Sequence, residues 1–196
     1  GDAVAIETDS GYIPPYQALA RLYLREDKQD QAIAQYKATL ERDPTRTDPH
    51  MALGVLYQTR GESKVAEEHY RAALKINPEF APAANNLAYL LAENGGDLNE
   101  ALELARTAKQ ASPEDPYIND TLGWVYYQKG LYDSAVGLLN DALEKLPQVA
   151  QIRYHLGMVY LKKGEPELAR QELEKALALN KDFEGAQAAR AALAQL

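Results

Sequence analysis

Three histidines are the side chains of this sequence with the broadest chemical use, because an imidazole can bind a metal or transfer a proton near neutral pH. They are His50, His69 and His155. None stands four residues from another, which is the spacing that places two imidazoles on one helix face in helical zinc sites. We therefore expect three separate surface or groove residues and no metal site.

Two acidic pairs, Glu67 with Glu68 and Glu172 with Glu174, have the residue types of a general acid and base. Catalytic carboxylates need neighbours that hold or desolvate them, and none is evident here, so we expect solvated outer faces. Gly95 and Gly96 form a turn between helices, not the strand-to-helix junction of a phosphate-binding loop. The chain has no cysteine, which excludes thiol catalysis. The sequence predicts a protein that is not an enzyme and uses no cofactor.

Charge and composition restrict the partners. The chain of 196 residues carries a net charge of -8, which disfavours nucleic acid because phosphate binding needs clustered Lys and Arg. No apolar run approaches the roughly 18 residues of a membrane span, so direct membrane insertion is not expected. The sequence opens on Gly1 and Asp2 without a methionine, and we expect it to be a segment of a longer protein.

A recurring motif determines how these residues are arranged. Its clearest copy consists of Leu53, Gly54, Tyr57, Gly61, Ala66, Tyr70, Ala73 and Pro78. A second copy consists of Leu122, Gly123, Tyr126, Gly130, Ala135, Leu139, Ala142 and Pro147. A third consists of Leu156, Gly157, Tyr160, Gly164, Ala169, Leu173 and Ala176. A fixed period of this size indicates a chain of stacked helical hairpins.

Prolines mark the same period. The intervals between Pro44, Pro78, Pro113 and Pro147 are 34, 35 and 34 residues. The long interval contains the extra glycine of the Gly95 turn, and lengthening a surface loop costs little free energy. The period predicts five repeats over residues 13–183, with limits at 13–46, 47–80, 81–115, 116–149 and 150–183. Residues 184–196 are expected to form a capping helix, and residues 1–12 an extended or disordered N-terminal extension.

Small residues of the motif should let the helices pack closely. Gly54 is expected where the two helices of a hairpin cross, and without bulk at such a point the helix axes approach to about 8–10 Å. Gly61 should end the first helix by adopting the left-handed conformation. A leucine in place of Ala135 should overpack the equivalent crossing by about 1–3 kcal/mol.

The motif positions from Leu53 to Pro78 match the signature of the tetratricopeptide repeat. The chain resembles this family over residues 13–183. The resemblance implies an all-α fold, a right-handed superhelical solenoid of five helix-turn-helix repeats plus the C-terminal capping helix. It also implies that first helices line a concave groove, that second helices form the outside, and that a protein or peptide binds in the groove.

The candidate partner-binding residues flank the motif positions of the first helices and should face the groove. They are Asn85, Asn86, Tyr89, Tyr117, Asp120, Trp124, Tyr127, Tyr154, His155 and Met158. Rigid aromatic side chains dominate binding hot spots, and the two asparagines offer donors and acceptors to a peptide backbone. Trp124 and Tyr89 are expected to be partly exposed, because the motif residues beside them already fill the interior.

The third and fourth repeats, at residues 86–92 and 120–126, also resemble large bacterial tetratricopeptide proteins, including those associated with exopolysaccharide assembly and export. This resemblance implies a bacterial origin and favours the envelope or periplasm over the cytoplasm. Three functions are open at this point. The chain is a non-catalytic scaffold that binds a peptide or protein segment, a groove that binds a polysaccharide through its aromatic residues, or a module that self-associates into a homo-oligomer.

Overall fold

The computed structural model describes Leu19, Leu22, Tyr23 and residues 25–196. The predicted N-terminal extension at 1–12, and much of the first helix of the first repeat, lie outside these residues. In the described part of the chain every regular element is an α-helix. None of these helices combines the length and the apolarity that crossing a membrane requires.

Ten helices follow one another along the described chain. They are α1 (Gln29–Arg42), α2 (Thr47–Thr59), α3 (Ser63–Ile76), α4 (Ala81–Glu93), α5 (Leu98–Ala111), α6 (Pro116–Gln128), α7 (Tyr132–Lys145), α8 (Ala150–Lys163), α9 (Pro166–Leu179) and α10 (Ala186–Leu193). Helix α1 is the second helix of the first repeat, and the next eight helices form four hairpins that lie inside the predicted repeat limits. The all-α solenoid expected from the motif is confirmed.

Glycines of the first helices lie directly against bulky residues of the second helices. A Cβ atom built on Gly54 would lie 2.4 Å from Cε1 of Tyr70. Built on Gly157, it would lie 2.8 Å from Leu173. The third repeat has Ala88 and Ala105 at the equivalent positions, both fully buried, so that two alanines replace one glycine and one bulky residue. At each crossing the size of the first-helix residue is therefore matched to the size of the second-helix residue that faces it.

The turns between the helices of a hairpin use a left-handed residue. Gly61 has a φ of 77°, which glycine adopts without the steric penalty of a Cβ atom. In the first repeat Asp27 occupies the same turn with a φ of 51°, and aspartate is one of the few other residues that tolerate this region. The departure of the first repeat from the motif thus preserves the turn.

Contacts among first helices show which side of the solenoid is concave. Helix α4 packs against α6, and α6 packs against α8, whereas no two second helices of the described chain share such an interface. Nε2 of Gln151 donates a hydrogen bond to the Tyr89 hydroxyl at 3.2 Å, which joins the fifth repeat to the third. Two alternate repeats can meet only if the chain curves towards its first helices, so these helices line the concave groove.

Polar contacts recur between neighbouring repeats with a spacing of 30 residues. In each, the cation near the end of a first helix bonds a side chain near the start of the preceding second helix: Arg60 to Asp30 at 2.6 Å, Lys129 to Asn99 at 2.7 Å and Lys163 to Asp133 at 2.7 Å. Contacts between exposed side chains of this kind contribute little to stability, because water and salt screen them. They fix the relative orientation of repeats more than they stabilise them.

The terminal helix α10 packs on α9 and α8. Its buried side is made of Ala186, Ala189 and Ala192, and the remaining alanines face outward. Solenoids need an end that covers the last apolar face without exposing a new one. The capping role predicted for residues 184–196 is compatible with this packing.

Replacing Gly54 by alanine should destabilise the protein. Alanine is favoured over glycine inside a helix by about 1 kcal/mol, but its Cβ would collide with the ring of Tyr70, which is fully buried and has no room to withdraw. Overpacking of this kind costs about 1–3 kcal/mol, so a net loss of about 1–2 kcal/mol is expected in urea unfolding.

The matched control is Gly137→Ala on α7. A Cβ atom there meets nothing within 4 Å, so the helix-propensity gain of about 1 kcal/mol should appear as increased stability. Opposite signs for the two substitutions are the expected result. Increased stability for both would show that the crossing at Gly54 is not tight, and a loss for both would show that glycine is needed at position 137 as well.

Candidate functional site

The ten predicted groove residues divide into two groups by burial. Half-buried side chains, which reach the groove surface, are Asn85, Tyr89, Tyr117, Tyr127 and Met158. Buried side chains are Asn86, Asp120, Trp124, Tyr154 and His155. The first group keeps part of its surface exposed. The second group forms the floor beneath it.

Trp124 is 4% exposed, and the prediction that it is partly exposed was wrong. Its ring stacks on His155 with centroids 4.1 Å apart and on Tyr127 at 4.5 Å. Its Nε1 donates a hydrogen bond to Oε1 of Glu93. The curvature brings α4, α6 and α8 so close that side chains next to the motif positions fill the space between repeats. Tyr89 is half-buried, as the sequence predicted.

We call Tyr89, Trp124, Tyr127, Tyr154 and His155 the aromatic cluster. Tyr154 lies 5.9 Å from Trp124, and Tyr89 lies 6.0 Å from His155, both in tilted arrangements. Such ring pairs contribute about 0.5–1.5 kcal/mol beyond the area that they bury. The aromatic cluster therefore joins three repeats into one continuous packed unit.

His155 lies at the base of the aromatic cluster and is 0% exposed, which corrects its assignment as a surface or groove residue. Its Nδ1 lies 2.7 Å from Oδ1 of Asp120, and its Nε2 lies 3.0 Å from Nε2 of Gln151. Asp120 is buried as well. Buried polar groups are costly unless they are hydrogen-bonded, and this chain of contacts satisfies them.

His50 and His69 are not separate residues either. Their Nδ1 atoms lie 3.0 Å apart, and the ring of His69 stacks on Tyr57. Burial, with smaller contributions from His50 and Lys37, lowers the pKa of His69 to about 4. Burial also lowers the pKa of His50, so that at neutral pH one neutral imidazole donates to the other. Among the described residues no three His, Asp or Glu side chains form a possible metal site.

Glu172 is not part of a solvated face. Its side chain is 12% exposed, and it accepts from Arg153 at 2.7 Å and from Lys175 at 2.8 Å. Arg153 belongs to α8 and Glu172 to α9, so the ion pair joins the two helices of the fifth repeat. Glu67 lies within 2.8 Å of Arg71 on its own helix. The first contact joins two helices, and the second joins successive turns of one helix.

Asn85 and Asn86 differ in burial and in the hydrogen bonds that their side-chain atoms make. Asn86 is buried, and its Nδ2 donates to the Tyr70 hydroxyl at 3.4 Å, while its Oδ1 accepts from Asn85 at 3.3 Å. Asn86 is thus part of the core. Oδ1 of Asn85 has no hydrogen-bond partner among the described residues. This oxygen is enclosed by its neighbours, so a ligand does not reach it in this structure.

Carboxylates dominate the electrostatics of the aromatic cluster. Burial first, and then Glu184, Glu93 and Asp120, raise the pKa of Tyr89 well above its ordinary value. Burial and the charges of Glu93 and Glu184 raise the pKa of Tyr154 to about 12. Burial, Tyr132 and Glu93 raise the pKa of Tyr127. The hydroxyls therefore remain protonated and can donate.

Sequence reasoning missed the contacts that cross repeats. Asp120 and His155 are 35 residues apart, Glu93 and Trp124 are 31 apart, and Tyr89 and Gln151 are 62 apart. A usable signal was present for the first two pairs, since a period near 34 residues places residues with about that separation on adjacent first helices. The third pair spans nearly two periods and joins alternate repeats. A polar residue paired with another about one period later is the pattern to search for.

The sequence matches the family model described as tetratricopeptide repeat at residues 18–79, 51–116 and 121–196. It is 38% identical over 80 residues to the TPR repeat-containing protein PA4667 of Pseudomonas aeruginosa, an alignment that covers 41% of this chain and 13% of that protein. The chain therefore corresponds to a small part of that relative.

Solved structures share the fold. The TPR protein TTC0263 of Thermus thermophilus has a TM-score of 0.71 at 21% identity, covering 92% of this chain and 98% of that one. PilW, a type IV pilus biogenesis factor, has a TM-score of 0.72 at 21% identity, covering 92% and 88%. YrrB, described as a TPR protein with an unusual peptide-binding site, has a TM-score of 0.61 at 24% identity, covering 90% and 91%.

Proposed function

This chain belongs to the tetratricopeptide repeat family, whose members are generally non-catalytic scaffolds for protein interactions, and we propose that it binds a peptide or protein segment in its concave groove. The observation that carries the proposal is a row of half-buried side chains on the first helices, formed by Asn85, Tyr89, Tyr127 and Met158. These mix apolar surface with donors and acceptors, which suits an amphipathic segment.

Hydroxyl groups in the half-buried row support a polypeptide ligand. The hydroxyls of Tyr89 and Tyr127 stay protonated, because burial and neighbouring acidic groups raise their pKa values. An extended peptide presents a backbone C=O at regular intervals, and these hydroxyls can donate to it. YrrB, which has a similar fold and is described as having a peptide-binding site, provides a precedent for the ligand class.

The buried side chains beneath the half-buried row are held in fixed positions, which favours binding at that row. The rings of Trp124, Tyr127 and His155 are stacked, and hydrogen bonds to Glu93 and Asp120 hold them from the side. Side chains that are already immobilised lose little conformational entropy when a partner binds. The half-buried residues above this floor are therefore preorganised for contact.

The polysaccharide alternative receives less support. Aromatic stacking on a sugar needs an open ring face, and Trp124, the residue on which that alternative depends most, has Tyr127 and His155 stacked against it and is buried. Self-association remains an outcome of the experiment below, because light scattering on the same samples reports it.

Peptides selected from a random display library on this chain should bind in the groove. We expect Tyr127→Phe, which removes a hydroxyl donor, and Met158→Ala each to weaken the affinity of a selected peptide about tenfold or more, the effect of losing about 1.4 kcal/mol. Isothermal titration gives the dissociation constants. The control is Gln171→Ala on the exposed side of α9, which should leave affinity unchanged.

Equal losses in all three variants would indicate a nonspecific effect, and a loss confined to Gln171→Ala would move the site to the outer surface. Failure to select any peptide that binds would overturn the proposed function. A dimer that forms in the absence of peptide, and is disrupted by the same groove substitutions, would favour self-association instead.

A further inference from the structure

The part of the groove formed by α4, α6 and α8 contains three carboxylates close to its tyrosines. Each charged side chain that shifts the pKa of Tyr89, Tyr127 or Tyr154 is one of them, from Glu93, Asp120 or Glu184. Glu93 contributes for all three tyrosines, and its carboxylate is bonded to the indole of Trp124, which lies against Tyr127 and Tyr154. Asp120 is bonded to His155 beneath them, whereas Glu93 and Glu184 are exposed.

Helix ends add to this negative charge. Glu93 is the last residue of α4, and Tyr127 stands in the last turn of α6. Equivalent first helices packed side by side bring their C-termini to the same edge of the groove, and the helix dipole places partial negative charge there. Neither of these two last turns contains a lysine or arginine. Lys129 follows as the C-cap of α6, but its Nζ donates to Asn99 of α5 at 2.7 Å, so it is directed to a second helix.

Basic residues do occur at the next helix end. Lys162 and Lys163 stand in the last turn of α8. Lys163 is paired with Asp133 and Glu165, at 2.7 Å and 3.3 Å, and Lys162 is exposed. The cations are thus on the α8 side, and the Glu93 side of the groove keeps its negative charge.

Glu93 is positioned rather than mobile. Its Oε1 accepts the indole N–H of Trp124, which fixes the carboxylate beside Tyr127, whose ring stacks on Trp124 at 4.5 Å. A carboxylate beside the face or edge of tyrosine rings is an environment that binds ammonium and guanidinium groups, through charge and through cation–π attraction.

We propose that the groove at Glu93 binds a basic peptide, with a lysine or arginine side chain placed between the Glu93 carboxylate and the half-buried rings of Tyr89 and Tyr127. This inference rests on the proposed function and specifies the charge of the ligand. The net charge of -8 favours the approach of such a partner over a distance. A polypeptide fits better than a free cation, because the hydroxyls of Tyr89 and Tyr127 can also donate to its backbone carbonyl groups.

The test uses pentalysine, pentaglutamate and a neutral Gly-Ser pentapeptide with the whole chain. Trp124 is the one tryptophan of the sequence, so its fluorescence reports binding at this site, and isothermal titration gives the dissociation constant. We expect pentalysine to bind, to change the fluorescence and to weaken at high salt. Pentaglutamate should not bind.

Two variants distinguish binding at a specific site from general electrostatic attraction to the negatively charged chain. Glu93→Gln and Glu103→Gln each remove one negative charge, but Glu103 is an exposed residue of α5 that contacts Arg106. Glutamine at position 93 keeps an oxygen for the Trp124 N–H. We expect Glu93→Gln to weaken pentalysine about fivefold or more and Glu103→Gln to change it less than about twofold.

Equal weakening in both variants, or binding without a change in Trp124 fluorescence, would overturn the inference. Library-selected groove peptides that are neutral or acidic would also overturn it while leaving the proposed function intact. If no peptide of any charge binds the groove, the proposed function itself fails. The outcomes of the two proposals are therefore distinguishable.

Discussion

Replacing Trp124 by alanine should lower the free energy of unfolding by about 3–5 kcal/mol, the usual range for truncating a buried large aromatic. The side chain is 4% exposed and is packed between Tyr127 and His155. Removing it would leave a cavity at the junction of three repeats, and it would also leave Glu93 without the indole donor. Urea unfolding followed by circular dichroism measures the loss.

The matched control is Trp124→Phe. Phenylalanine keeps an aromatic ring between Tyr127 and His155 but has no N–H, so we expect a smaller loss than for alanine, including about 1 kcal/mol for the hydrogen bond to Glu93. A loss below about 1 kcal/mol for Trp124→Ala would show that the ring is exposed, as the sequence alone had suggested.

Substituting either Asp120 or His155 by alanine should destabilise the protein by about 3 kcal/mol, because each leaves the other as a buried polar group without its main partner. Both side chains are buried, and Nδ1 of His155 lies 2.7 Å from Oδ1 of Asp120. His155 also loses its stacking on Trp124 when it is truncated. Thermal or urea unfolding of each variant gives the values.

The double substitution tests whether the two residues act through each other. If they do, the loss in the double variant is smaller than the sum of the single losses by more than about 0.5 kcal/mol. Additive losses would show that the contact contributes nothing of its own. Asp120→Asn is a further control, since it keeps the volume and an acceptor oxygen while removing the carboxylate.

Local repetition is the reason that the fold could be predicted from sequence. Gly54 and Tyr70, or Gly157 and Leu173, lie within one hairpin, and their sizes are matched within that hairpin. The turn residues Gly61 and Asp27 likewise act on their own backbone. Each of these features depends on residues fewer than about 20 positions apart, and their regular recurrence predicted the hairpins, their limits and the terminal helix.

Burial within the groove could not be predicted in the same way. Helical periodicity places Trp124 and His155 on the groove side of α6 and α8, and both side chains do lie on that side. Whether a groove-side residue meets solvent or a neighbouring helix depends on how far each repeat rotates against the previous one. Many contacts between repeats together set that rotation, so the sequence of a single hairpin does not reveal it.

The sequence by itself therefore determined the helical repeats and the all-α solenoid. Tertiary structure alone decided which of the ten candidate residues keep part of their surface exposed. Curvature brings Gln151 of the fifth repeat to Tyr89 of the third, and it buries Trp124, Tyr154 and His155 in between. The physical reason is that packing within a repeat is encoded locally, whereas exposure in a solenoid depends on the geometry between repeats.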